Sequence, residues 1–118
     1  MLIADDDEAI AFAIRDYFSA RGFDVTSAAT STGACAQLAA QHFDVIIVDL
    51  CFHGEGLTEG LRVVETASER YHVRNIILLS GSLHEVLPCS DRYAPVRLHK
   101  PIELARLAAI VDGMLAVA

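Results

Sequence analysis

Two runs of four aliphatic residues, Val45-Ile46-Ile47-Val48 and Ile76-Ile77-Leu78-Leu79, constrain this chain more than any other feature. A strand with one wet face alternates apolar and polar side chains. A strand that is apolar on both faces must be covered on both, as a central strand of a parallel sheet is. Neither run approaches the roughly 18 apolar residues of a membrane-spanning helix. Each ends at a polar residue, Asp49 or Ser80.

The segments around these runs have helical spacing, so strands and helices alternate along the chain. Leu2 to Ala4 is a first strand. A first helix runs from about Asp7 to Arg21 and stops at Gly22, a suitable C′ residue. Its core stripe is read as Ile10, Ala13, Ile14, Tyr17 and Phe18. Phe12 lies about 200° from Ile10 on the helical wheel, so it faces solvent. Phe23 to Ala28 alternates and suits an edge strand. Ser31 or Thr32 is the expected cap of a second helix that carries Leu38 and reaches about Gln41. Asp44 to Asp49 is the third strand. A glycine-containing loop follows to about Thr58, and a third helix spans about Glu59 to Arg70. Ile76 to Ser80 is the fourth strand. A short fourth helix is expected near Leu83 to Leu87, ending at Pro88. Val96 to His99 is the fifth strand. Ile102 to Leu115 is the fifth helix, with Pro101 in its first turn. The 118 residues show no repeat or linker and read as a single domain, 1–118.

Charge narrows the partners. Nine Lys and Arg against sixteen Asp and Glu give a net charge of −7. Lys100 is the only lysine, and the arginines are scattered. No basic stripe exists for a nucleic acid or an anionic membrane surface, so direct binding to either is not expected. The three cysteines, Cys35, Cys51 and Cys89, are an odd number without CxxC spacing. That disfavours a disulfide framework or a zinc site and suits a reducing, cytoplasmic setting. The N-terminus lacks the basic start and long apolar stretch of a secretory signal.

Open α/β sheets bind ligands beyond the carboxyl ends of their strands, where strand order reverses. Asp5 and Asp6 follow the first strand, Asp49 ends the third, Ser80 the fourth, and Lys100 follows the fifth. If the first and third strands are neighbours, three carboxylates share one cleft. Two unit charges 4 Å apart repel by about 4 kcal/mol at an effective dielectric of 20. Several such pairs rival a whole domain's stability of about 5–15 kcal/mol, so the cluster requires compensation. Lys100 supplies one positive charge. An acid-rich, all-oxygen site suits Mg²⁺. A hydroxyl (Ser80) and an ammonium (Lys100) are donors that a phosphoryl oxygen accepts from, and an Asp beside a metal can form an aspartyl phosphate. Asp7 reads as the acid at the start of the first helix rather than as a ligand.

Four segments together resemble the receiver domain of two-component response regulators. They are Leu2-Ile3-Ala4-Asp5-Asp6-Asp7-Glu8, Asp44-Val45-Ile46-Ile47-Val48-Asp49-Leu50, Ile76-Ile77-Leu78-Leu79-Ser80-Gly81 and Leu98-His99-Lys100-Pro101-Ile102. The resemblance covers nearly the whole chain. It implies a flavodoxin-like fold: a five-stranded parallel sheet of order 2-1-3-4-5 with five helices on its two faces. It implies a phospho-accepting switch of a phosphorelay, regulatory rather than enzymatic, that loses its phosphate slowly to water. Asp49 would be the phospho-acceptor. Asp5, Asp6, Asp49 and the Cys51 backbone carbonyl would hold Mg²⁺, and Ser80 and Lys100 would bind the phosphoryl oxygens. The implied partners are a sensor histidine kinase or histidine phosphotransfer protein, and a downstream target or effector domain. The resemblance also admits a docking role for Phe12 toward a phosphodonor helix pair, and a homodimer through the fourth helix, fifth strand and fifth helix.

The chain departs from the family in places. His53 stands where a proline is usual, the loop after Asp49 is longer, and Arg97 replaces the strand-5 aromatic. These departures keep a second reading open, a degenerate receiver that serves as a non-phosphorylated binding module. A third reading, a haloacid-dehalogenase-like phosphatase, rests on the Asp5-x-Asp7 spacing.

Overall fold

The computed structural model describes residues 1–49, 57–69, 75–80, 96–99 and 102–116. These form β1 (Leu2–Ala4), α1 (Glu8–Ala20), β2 (Thr26–Ala28), α2 (Ser31–Ala40), β3 (Ile46–Asp49), α3 (Leu57–Ser68), β4 (Ile76–Ser80), β5 (Val96–His99) and α4 (Leu104–Ala116). The five strands make one parallel sheet of order β2-β1-β3-β4-β5. The expected strand order is the observed one. The helix expected at Leu83 to Leu87 lies outside the described residues, so α4 here is the fifth helix of the sequence reading.

The two apolar runs explain the layering. Successive side chains along a strand point to opposite faces. Leu2, Ala4, Ile46, Val48, Ile76 and Leu78 face one way and pack with Ala34 and Leu38 of α2 and Val63, Val64 and Ala67 of α3. Ile3, Val45, Ile47, Ile77 and Leu79 face the other way and meet Ile14 and Phe18 of α1 and Leu107, Ala108 and Val111 of α4. Both faces are therefore covered, as the absence of alternation in β3 and β4 requires.

Helix α1 is bounded by two local devices. Asp7 is the N-cap, and its Oδ1 accepts the N–H groups of Ala9 at 3.0 Å and Ile10 at 3.2 Å. At the other end Gly22 adopts φ +93°, a backbone conformation that costs glycine little. The Phe23 N–H then donates to the Phe18 carbonyl, and the Gly22 N–H to that of Ser19, both at 3.0 Å. This is a Schellman closure. Its apolar contact is the edge-to-face pair of Phe18 and Phe23, with ring centroids 5.2 Å apart.

Several sequence readings need correction, among them the last helix, which begins at Leu104 rather than Ile102, after Pro101 rather than with it in the first turn. Ala13 is exposed and Ala11 is buried in its place, while Ile10, Ile14, Tyr17 and Phe18 pack on the core as read. Thr30, not Ser31 or Thr32, caps α2, its side chain accepting the Gly33 N–H at 3.0 Å. Helix α3 begins at Leu57, two residues before the expected Glu59. The outward position of Phe12 is as read, with 61% of it exposed. No helix among the described residues is long and apolar enough to cross a membrane.

A cross-helix contact joins α1 to α4, where Arg21 Nη2 donates to Asp112 Oδ2 at 2.6 Å. Both side chains are roughly half exposed, so this pair contributes at most about 1 kcal/mol. Cys35 is a free thiol whose Sγ lies 3.4 Å from Thr66 Oγ1, between α2 and α3. Its place against the core agrees with a packing role.

Candidate metal and phosphoryl site

The site follows from the topology. Strands β1 and β3 are neighbours, with Ala4 in register with Val48. The chain leaves β1 toward β2 on one side, while β3 leads to β4 on the other, so strand order reverses between β1 and β3. A crevice forms at the carboxyl ends of such a pair. Asp5 is the first residue after β1, and Asp49 is the last residue of β3. Parallel register alone brings them to the same edge.

Asp5, Asp6 and Asp49 each place a carboxylate oxygen within 4.8 Å of the others. Asp5 is 3% exposed and Asp49 5% exposed, whereas Asp6 is half-buried. At that separation each ionised pair repels by about 3–4 kcal/mol at an effective dielectric of 20. Asp5 and Asp6 lie just before the start of α1, whose partial positive charge returns only about 0.3–1 kcal/mol per carboxylate. The imbalance favours any species that brings positive charge.

The loop carrying Asp5 and Asp6 is pinned at both ends. The Asp5 N–H donates to the Ala28 carbonyl at 3.1 Å, tying the loop to the end of β2. Asp5 Oδ1 accepts the Asp7 N–H at 2.9 Å, while Asp7 spends its own carboxylate on the start of α1. Asp7 is thus the helix-start acid expected from sequence. That use of its side chain removes the support for pairing Asp5 with Asp7 in a phosphatase-like motif.

The other sequence candidates are placed less fully. Ser80 is the last residue of β4. Asp49 is in register with Leu79, so Ser80 stands one residue further along the adjacent strand, toward the same edge. Arg97 is in β5, in register with Leu78. Lys100, which follows the last residue of β5, lies outside the described residues, as do Cys51 and His53. The sequence reading missed one supporting feature, the Asp7 N–H to Asp5 bond. An acid two residues after a carboxylate and just before a helix was the available signal.

Three oxygen donors and no described nitrogen or sulfur donor make a hard ligand set. Such a set fits Mg²⁺, which binds through a few carboxylates and retains water, rather than zinc.

Comparison with known proteins agrees with this geometry. The family model for the response regulator receiver domain matches residues 1–112. The regulatory protein VirG of Agrobacterium tumefaciens is 32% identical over 85 residues, covering 72% of this chain and 31% of VirG. The chain thus spans about a third of that relative's length. A CheY-like receiver domain protein from Methanospirillum hungatei superposes with a TM-score of 0.84 at 23% identity, over 98% of this chain and 91% of that one. The response regulator TrrA of Thermotoga maritima, solved in complex with Mg²⁺–BeF, gives 0.79 at 21% identity over 96% of each chain.

Proposed function

The chain belongs to the response regulator receiver domains, the phospho-accepting regulatory switches of two-component signalling, and on that premise we propose that Asp49 is its phospho-acceptor. The observation that carries the reading is the convergence of Asp5, Asp6 and Asp49 within 4.8 Å at the strand-order reversal. In the proposed step an Asp49 carboxylate oxygen attacks the phosphorus of a phosphohistidine. The P–N bond breaks, the donor imidazole leaves, and an aspartyl phosphate forms. The donor is a sensor histidine kinase or a histidine phosphotransfer protein. Ser80 and Lys100 donate hydrogen bonds to the phosphoryl oxygens, and slow attack by water reverses the state.

Mg²⁺ is the proposed cofactor, held by Asp5, Asp6, Asp49 and the Cys51 carbonyl. When bound it supplies the positive charge that offsets the carboxylates and the incoming phosphoryl oxygens. The single-domain organisation over 1–118, the cytoplasmic location and the downstream target or effector domain belong to the same reading. The departures at His53 and Arg97 support the alternative, a degenerate receiver that serves as a non-phosphorylated binding module.

A phosphoryl mimic tests the reading. Beryllofluoride is expected to bind one-to-one in the presence of Mg²⁺ and not in EDTA, as followed by calorimetry or ¹⁹F resonance. Retention of the fold without any Mg²⁺-dependent binding would favour the non-phosphorylated binding module instead.

The Asp7 cap offers a second check. Asp7→Ala is expected to lower stability by about 1 kcal/mol through loss of the cap. It should also weaken Mg²⁺ binding by about 10-fold, because fraying at the start of α1 displaces the residue 7 N–H that orients Asp5. Asp7→Asn keeps an acceptor oxygen and should preserve most of both. Urea denaturation and a Mg²⁺ titration read the two effects separately. Unchanged Mg²⁺ affinity in the alanine variant would mean that the residue 7 backbone N–H and the Ala28 contact orient the loop without the cap.

A further inference from the structure

An unbroken series of hydrogen bonds joins the acid cluster to the start of α1. The Asp7 N–H donates to Asp5 Oδ1 at 2.9 Å. The Asp7 carboxylate accepts the Ala9 N–H at 3.0 Å and the Ile10 N–H at 3.2 Å. Residue 7 therefore serves two neighbours. Its backbone orients a carboxylate of the cluster, and its side chain closes the first turn of the helix. Asp5 is buried, whereas Asp7, Glu8 and Ala9 are exposed, so the series runs from an interior acid to the surface.

The backbone of Asp5 has a separate anchor, its N–H donating to the Ala28 carbonyl at 3.1 Å. Fraying of the first turn of α1 leaves that anchor in place and frees the carboxylate from the Asp7 N–H. A cation that needs a fixed Asp5 carboxylate must then order it again, which costs affinity. The cluster therefore binds a cation more tightly when the turn is closed. Coupling between two equilibria is reciprocal. The factor by which closure of the turn raises affinity is the factor by which occupancy of the cluster favours closure.

We propose that the first turn of α1 is a conformational reporter of the acid cluster, closing more tightly when Asp5, Asp6 and Asp49 hold a divalent cation. The inference rests on the metal reading above and adds a direction that electrostatics alone would reverse. The start of a helix is favoured by nearby carboxylates and disfavoured by nearby positive charge. A cation that cancels the acids ahead of α1 should on that ground loosen its first turn. The link from Asp5 through residue 7 to Ala9 and Ile10 requires the opposite, so the sign of the change separates the two.

Solvent exchange of the Ala9 and Ile10 amide protons, followed by NMR with saturating Mg²⁺ and in EDTA, tests the proposal. Both amides should exchange about 10-fold more slowly with Mg²⁺, the factor by which loss of the cap is expected to weaken binding. Helix α2 supplies the internal control. Thr30 caps it by the same kind of bond, accepting the Gly33 N–H at 3.0 Å, and adjoins no member of the cluster in the chain. Exchange at Gly33 should be unchanged, because its opening is local. In Asp7→Ala the Mg²⁺ effect at residues 9 and 10 should vanish, and in Asp7→Asn most of it should remain. A rise in Tm with Mg²⁺ shows that the ion is bound. With the ion bound, unchanged or faster exchange at Ala9 and Ile10, or equal slowing at Gly33, would overturn the proposal and leave the metal reading standing. The absence of any Mg²⁺-dependent rise in Tm would overturn the metal reading and the proposal together.

Discussion

Asp49→Asn is expected to abolish phosphoryl incorporation from a small phosphodonor while leaving the domain folded. The two halves of that expectation have different physical origins. An amide lacks the anionic oxygen that attacks phosphorus, and loss of a nucleophile costs several orders of magnitude in rate. The shape of the side chain is nearly unchanged, so the packing around this 5% exposed residue survives. The substitution also deletes one member of a cluster whose members lie within 4.8 Å. Without metal, the variant should therefore be more stable than the parent by about 1–3 kcal/mol, below the full Coulomb figure because side chains and water relax. Chemical denaturation in EDTA reads that gain. A variant that is both inactive and destabilised would mean that Asp49 supports the fold rather than burdening it.

Mg²⁺ should produce the second large effect, and on stability rather than chemistry. An ion that binds only the folded chain stabilises it by about 2.7 kcal/mol at one hundred times its dissociation constant. For a domain of this size that corresponds to a rise in Tm of about 10 °C. The rise should be specific to the cluster. It should shrink sharply in Asp6→Asn, where a ligand is lost, and stay intact in Asp112→Asn, where an exposed carboxylate on α4 is changed. Equal shifts in all three proteins would reduce the effect to general screening of a chain with net charge −7.

The fold was legible where burial leaves no choice. Strand β4 occupies the predicted residues and β3 lies within its predicted span, because a run that is apolar on both faces has one home in a covered sheet; β5, which alternates, also occupies its predicted residues. Strand β2 is shorter than its alternating segment, starting at Thr26 rather than Phe23. It pairs with β1 alone. Phe23 and Val25 pack on the core without entering the ladder. The orientation of α1 was misread by one alanine because Ala11 and Ala13 carry almost no size signal. Ile14 and Phe18 decide which of them turns inward.

Much of the candidate site was legible for a topological reason. Parallel strands deliver their carboxyl ends to one edge, so polar residues that terminate apolar runs converge even when they are far apart in sequence. Asp5, Asp6 and Asp49 do so. The hydrogen bond from the Asp7 N–H to Asp5 was missed, because its signal is a local turn ahead of a helix rather than a periodicity. The residues assigned to the phosphoryl oxygens, Ser80 and Lys100, rest on the family resemblance and on strand ends.

The central claim is that these three acids form one metal-dependent phospho-acceptor. Intact mass spectrometry after incubation with a small phosphodonor, with and without Mg²⁺, tests it most directly. The account predicts a single phosphoryl increment that requires Mg²⁺, maps to Asp49 and is absent from Asp49→Asn. An increment of equal yield in EDTA, or one retained by Asp49→Asn, would contradict it.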